Sequence, residues 1–467
     1  MVELTTDDRD ALQASLEGVA SLPGDAAFDA AVNIWNGVID RRPAIVASCA
    51  SSADVAGALA FARERGLEIS VRGGGHNYAG FALCDGGLMI DLTPMKAVRV
   101  DPAAKRATCG GGTTWGELDG ATQEHGLAVP GGFVSHTGVA GLTLGGGFGW
   151  LSRTAGLTAD NLVAAEVVLA DGTVVRASDD ADADLFWALR GGGGNFGVVT
   201  SFEFALHEVG PLVNLALFFF VPDDGGAMFR FARDFVRALP DENGALLAAL
   251  SAPPEPFVPA DFHFAPVYAL GVVGFGSAEA HAAAVAPVRD ALTPAFELVT
   301  PIPYTALQQM FNGSAPWGVL AYEKALYLHD LSDGAIDVLL RRVPGKASPL
   351  SLMPIFVLGG EYSRAEEDGS CFAGRRDVGY LVNISAGAMD RDTYEHERTW
   401  VRDTWSDLVP HAGGVGSYVN FMSEFEEERV RASYGPSKYE RLQQLKARYD
   451  PDNVFHLNAN IRPDGVG

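Results

Sequence analysis

Four cysteines in 467 residues, Cys49, Cys84, Cys109 and Cys371, include no Cys-x-x-Cys pair and do not cluster with histidines. That excludes a structural zinc site and points to a reducing compartment. Positive charge is also scarce. Lys and Arg total 34 against 59 Asp and Glu, a net charge of −25, so no nucleic-acid partner is expected. Long apolar runs are missing too. The longest, Leu212–Val221 and Leu352–Leu358, have the length of strands, well short of the roughly 18–20 residues of a membrane helix. The opening MVELTTDDRDALQASL has no basic start and no apolar stretch, so no secretory leader is expected and a cytoplasmic location is the default. What is present is ordinary globular chemistry, 48% hydrophobic and 20% charged, in a chain long enough for two domains or three.

Along the chain, Ala44–Ala50 reads as a strand. Ser51 and Asp54 have capping-box spacing ahead of a helix that Gly66 stops, and Leu67, Ile69 and Val71 alternate as a second strand. Strands follow at Leu88–Leu92 and Val98–Cys109, then a helix over 113–126. Asp171–Gly172 sits between Glu166–Ala170 and Thr173–Ala177 as a hairpin turn. A short helix, Asp182–Arg190, precedes a strand at Asn195–Phe204. Beyond about residue 207 the glycine clusters stop, and apolar strands such as Phe264–Gly274 alternate with Ala-rich helices, marking a domain boundary. The pattern predicts a final helix, Pro436–Arg448, with Leu442 and Leu445 on one face.

The 55 glycines concentrate at 73–75, 110–112, 131–149 and 191–197. Glycine lets another group lie directly on the backbone, and exposed amides in such loops suit a pyrophosphate. Gly192-x-Gly194-x-x-Gly197 matches the dinucleotide fingerprint only formally. A helix precedes it and a strand follows, the reverse of the context that the fingerprint requires. No Walker A loop is present either. A nucleotide cofactor held by loops is what remains. His76, which ends VRGGGH, adds an imidazole able to attack an electrophilic methyl carbon.

Four segments carry a resemblance: VRGGGHNYAGF, GGFVSHTGVAGLTLGGGFGWLSRTAGLTADNL, LFWALRGGGGNFGVVTSFEF and YDPDNVFHLNANI. They resemble the FAD-linked oxidases of the vanillyl-alcohol oxidase superfamily, in the berberine-bridge-enzyme-like branch. The match spans about 40–205 and 415–462. It implies an α+β fold with a two-subdomain PCMH-type FAD-binding domain (1–207, core about 40–207). An inserted substrate domain (208–414) would be an antiparallel sheet backed by helices, and a C-terminal segment (415–467) would return to the FAD domain. The resemblance implies FAD bonded once, through His76, with Arg72, Gly73, Gly74, Gly75 and Asn77 around its pyrophosphate. Ser135, His136, Thr137, Gly138, Gly141 and Leu142 would run beside the ribityl chain and ring. Asn161, Gly197, Val198 and Val199 would lie on the adenosine side, and Asn458 and Asn460 would approach from the C-terminal segment. Many relatives bond the flavin a second time through a cysteine where this chain has Val134, and the position that gates oxygen falls on Thr137.

Oxidation of a C–H bond by a flavin needs a hydride acceptor and a base for the departing proton. The resemblance puts Tyr418 over the flavin as that base, its pKa lowered by a polar or positive field, with Asn420 on the same side of a strand. Tyr380 is a further catalytic candidate, and Glu361, Tyr362, Arg375 and Arg376 are weaker pocket candidates. The expected reaction is hydride transfer from an alcohol, amine or sugar-type carbon of a small molecule, with O2 as the electron acceptor giving H2O2. A dehydrogenase with another acceptor and a non-redox flavin-retaining protein are the competing readings. No metal is expected.

Overall fold

The computed structural model describes residues 4–463 except Asp224. Its first sheet holds β1 (Val19–Ser21), β2 (Ile45–Ser48), β3 (Ile69–Arg72) and β4 (Leu88–Asp91) in the order β1-β2-β4-β3. β2 and β3 both pair parallel with β4, so the connection between them has to cross the sheet. The helix Ser52–Glu64 makes that crossing. Ser51 caps it by accepting from the Asp54 amide, and Gly66 follows with φ +62°.

The second sheet is antiparallel: β5 (Val98–Asp101), β6 (Arg106–Gly110), β8 (Leu162–Val168), β9 (Val174–Ser178) and β10 (Val198–Ala205), ordered β5-β6-β10-β8-β9. Between them in sequence lies β7 (Leu127–Ala128), which pairs with β11 (His207–Glu208). The single strand expected over Val98–Cys109 is a hairpin. The Asp101 carboxylate accepts from the amides of Ala103 and Ala104, and Lys105 turns the chain at φ +50°.

The third sheet has seven strands: β12 (Leu212–Phe220), β13 (Asn243–Ser251), β14 (Pro266–Gly274), β15 (Phe296–Pro303), β16 (Leu320–Leu328), β17 (Met353–Val357) and β18 (Tyr380–Ala388). Every pairing in it is antiparallel, in the order β15-β12-β14-β13-β17-β18-β16. One face packs on helices, among them Ala227–Ala238, Asp333–Arg342 and Arg391–Leu408, around Phe218, Leu247 and Val382. The other face turns Leu217, Leu246 and Phe356 toward Trp150 and Tyr418.

After this sheet the chain first runs beside β16, where Ser417 donates to the Ala325 carbonyl and Ser423 accepts from the Glu323 amide. The helix Pro436–Tyr449 then packs Leu442 and Leu445 into the core of the second sheet. Among the described residues, no helix is long and apolar enough to cross a membrane.

Candidate flavin and substrate site

A cavity of about 1180 Å3 is lined by the glycine loops, the C-terminal segment and the open face of the seven-stranded sheet. Its floor is backbone. The loop after β3 and the loop before the helix Val139–Leu144 meet at Gly74 and Gly138, and a Cβ on either would fall on the other's main chain. Gly75 needs φ +70°, which glycine adopts without cost. The amides of Gly73 through Asn77 make no hydrogen bond among the described residues, and all five residues line the cavity. Thr137, Gly138, Gly141, Leu142, Gly197, Val198, Val199 and Asn458 line it as well.

His76 stacks on Trp35, with ring centroids 5.1 Å apart, and meets the edge of Trp317 at 5.6 Å. Its Nε2 lies 2.8 Å from Nδ1 of His136, and its Nδ1 has no partner among the described residues. Burial, then the neighbouring His136 and Arg72, push the imidazole down to about 3, so it is neutral over the working pH range. His136 does not line the cavity; it reaches the site only through His76.

Tyr418 lines the same cavity, and its hydroxyl accepts from the Gly147 amide at 3.0 Å and from Asn420 Nδ2 at 2.8 Å. Asn420 also donates to the Leu142 carbonyl at 3.1 Å, tying this corner to the second glycine loop. Tyr418 precedes and Asn420 lies within a 3-10 turn, Val419–Phe421, where a strand was expected. The field expected to lower the Tyr418 pKa is outweighed. Burial raises it, opposed by the two donated hydrogen bonds, and the nearby Glu323 adds to the rise.

Several predicted residues lie elsewhere. Arg72 turns away from the cavity and donates to the Ala30 and Ala31 carbonyls, near the end of the helix Ala26–Val32, where such groups lack partners. Asn161 ties a turn, donating to Ala155 and Leu157 and pairing with His207. Ser135 bonds Asn312. Tyr380 lies on the helix-packed face of its strand and donates to the Arg233 carbonyl, because its place in β18 alternates away from the cavity. Tyr362 donates to the Arg375 carbonyl, and Arg376 is locked on Asp160 at 2.6 Å. Glu361 and Arg375 pair with Arg364 and Asp377 respectively.

Sequence reasoning missed Trp35, Tyr78, Glu323 and Asn383. A lone acidic residue within the apolar strand LAYEKALYL was the available signal for Glu323.

The site fits a dinucleotide with a flat ring. Amides without a hydrogen bond among the described residues lie on one loop, Gly193 and Gly194 leave space at the cavity wall, and the side-chain carbonyl oxygen of Asn458 is buried at that wall without a partner among the described residues, as is that of Asn460 outside the lining. Fold and site together define an FAD-binding oxidoreductase with a PCMH-type cofactor domain. The sequence matches a family profile described as "FAD binding domain" over residues 43–178 and one described as "Berberine and berberine like" over 417–462. It is 31% identical over 455 residues to an FAD-linked oxidoreductase of Dictyostelium discoideum, covering 96% of this chain and 95% of that one. It is also 31% identical over 461 residues to the (R)-6-hydroxynicotine oxidase of Paenarthrobacter nicotinovorans, covering 97% and 98%. Among solved structures, glucooligosaccharide oxidase from Acremonium strictum shares the fold at TM-score 0.85 and 24% identity, over 98% of this chain and all of that one; it is described as carrying 6-S-cysteinyl, 8α-N1-histidyl FAD. The chain belongs to the berberine-bridge-like FAD-linked oxidoreductases.

Proposed function

We propose that the protein is an oxidase that carries FAD on His76 and takes a hydride from a carbon bearing O–H or N–H in a small organic substrate. When bound, FAD supplies the hydride acceptor and passes the electrons to O2, giving H2O2. The observation that carries this reading is one cavity lined by both a neutral, nucleophilic imidazole and a buried phenol.

The histidine pair sets the tautomer. A proton on His76 Nε2, donated to His136 Nδ1, leaves the His76 Nδ1 lone pair free to attack. Trp35 holds the ring in place by stacking. Val134, at the cavity wall, cannot form a second bond to the cofactor, so one attachment is expected. Tyr418, on the same cavity, takes the substrate proton. The Gly147 amide and Asn420 stabilise the phenolate that this role requires.

The test is direct. Acid-precipitated protein should retain yellow flavin, and the peptide containing His76 should carry the added mass. His76→Ala should release its flavin on precipitation. A colourless pellet from loaded wild-type protein rules out the attachment, and the absence of peroxide across a panel of alcohols, amines and sugars rules out the oxidase.

A further inference from the structure

Between the helix Ala26–Val32 and β2, residues 35–37 grip the His76 loop. The Trp35 amide donates to the Gly75 carbonyl at 3.1 Å, and the Trp35 ring lies on the imidazole. Asn36 Nδ2 donates to the Tyr78 carbonyl at 2.8 Å. The loop is thus held just before His76 and again two residues after it.

The same three residues are bonded on their other side to the chain that leads into β16. Trp35 Nε1 donates to the Ala315 carbonyl, and the Trp35 carbonyl accepts from the Gly318 amide, both at 3.0 Å. The Gly37 amide donates to the Val319 carbonyl at 2.8 Å, and a Cβ on Gly37 would fall 2.3 Å from the Gly318 oxygen. Asn36 meets the edge of β16 as another strand would. Its Nδ2 donates to the Ala321 carbonyl and its Oδ1 accepts from the Ala321 amide, each at 3.1 Å. Oδ1 also accepts from the Val38 amide at 3.1 Å.

A primary amide offers two N–H groups and two lone pairs on its oxygen. Asn36 uses all four, is 2% exposed, and joins three separate stretches of chain. It does not line the cavity, so it acts on the site only through Trp35 and the His76 loop. A nucleophile displaced by about 1 Å can lose roughly 100-fold in rate.

We propose that Asn36 is a positioning residue for flavin attachment, fixing His76 at its angle of attack by tying the loop to the edge of β16. This rests on the proposed bond between His76 and FAD and adds what holds the nucleophile in place. In that step His76 Nδ1 bonds to the 8-methyl carbon, which gives up one proton, and the Nε2 proton passes to His136. The electron pair left in the ring, with the two released protons, reduces O2 to H2O2.

The test follows attachment instead of turnover. Full-length protein produced under flavin limitation is given excess FAD in air. Flavin that survives acid precipitation is then measured over time against total bound flavin. Asn36→Ala should attach flavin more slowly than wild type by roughly tenfold or more, while total flavin bound at saturation stays close to wild type. Asn36→Asp keeps the shape and the two accepted bonds but loses both donated ones, and should show the same delay. It carries the comparison should Asn36→Ala fail to fold. Leu339→Ala, in the helix-packed core of the seven-stranded sheet, lowers thermal stability without touching this junction and should attach at the wild-type rate. Wild-type rates in the Asn36 variants, or an equal delay in Leu339→Ala, overturn the inference and leave the His76 bond standing. Wild-type flavin that is lost in acid removes that bond and this inference together.

Discussion

Tyr418 accepts two N–H groups on its phenolic oxygen, so its hydroxyl hydrogen is what faces outward. A base must lose its proton before it can act, and burial holds this one above the usual phenol range. The rate of flavin reduction should therefore rise about tenfold per pH unit up to pH 10 without levelling. Tyr418→Phe should be slower by about 100-fold and flat with pH, measured by stopped-flow reduction without oxygen. His136→Ala leaves His76 without its proton acceptor, and the fraction of flavin retained in acid should fall several-fold while total bound flavin falls less.

His76 and Tyr418 were legible in the sequence because each sits in a motif that fixes its surroundings. Arg72 and Tyr380 were not. Which way a strand-end arginine turns depends on whether a helix end nearby lacks partners, and which face a strand tyrosine occupies depends on a register that sequence alone does not supply.

At the scale of elements, the two glycine loops touch main chain to main chain. Gly138→Ala has an allowed backbone, since its φ is −72°, yet its new Cβ would fall on the Gly74 amide. The loops must then part, at a cost of about 1–3 kcal/mol. Thermal melting should show that loss, together with lower flavin occupancy. The helix Ser52–Glu64 was readable from its cap and stop because those signals are local. The hairpin over residues 98–110 was misread although Asp101–Pro102 opens its turn, because no glycine is there and Lys105 takes the positive φ instead. The helix Pro436–Tyr449 brings a fully buried ion pair, Lys446 to Asp450 at 2.7 Å, whose members also bond Asn195, Val454 and Phe455. Lys446→Met would leave the Asp450 charge uncompensated and should cost about 3–5 kcal/mol in denaturant unfolding.

For the molecule as a whole, carboxyls tie the chain before residue 207 to the chain beyond it, Asp160 to Arg376 and Asp119 to Gln308 among them. Asp119, on the helix Trp115–Gln123, accepts from Gln308 at the end of Tyr304–Gln309, while Asp119 Oδ1 and Gln308 Oε1 have no donor among the described residues. Burial pushes Asp119 up to about 7. The folded protein therefore binds a proton that the unfolded chain has already lost above its ordinary value of 3.8. Stability from this group is complete below pH 4 and falls by about 1.4 kcal/mol per unit until the pH passes 7. Asp119→Asn should flatten that part of the stability profile in chemical denaturation.

The seven-stranded sheet was legible in part, because the glycine clusters end before its apolar strands begin. The coupling between domains was not, since it joins residues with no common pattern.

Phe455 and Asn458 line the same cavity as Trp35 and the loop at Gly74. While a ribosome is still making the middle of the protein, the far wall of that chamber has yet to be synthesised. Nascent chains stalled before the last helix should emerge pale, and yellow colour should develop only after release.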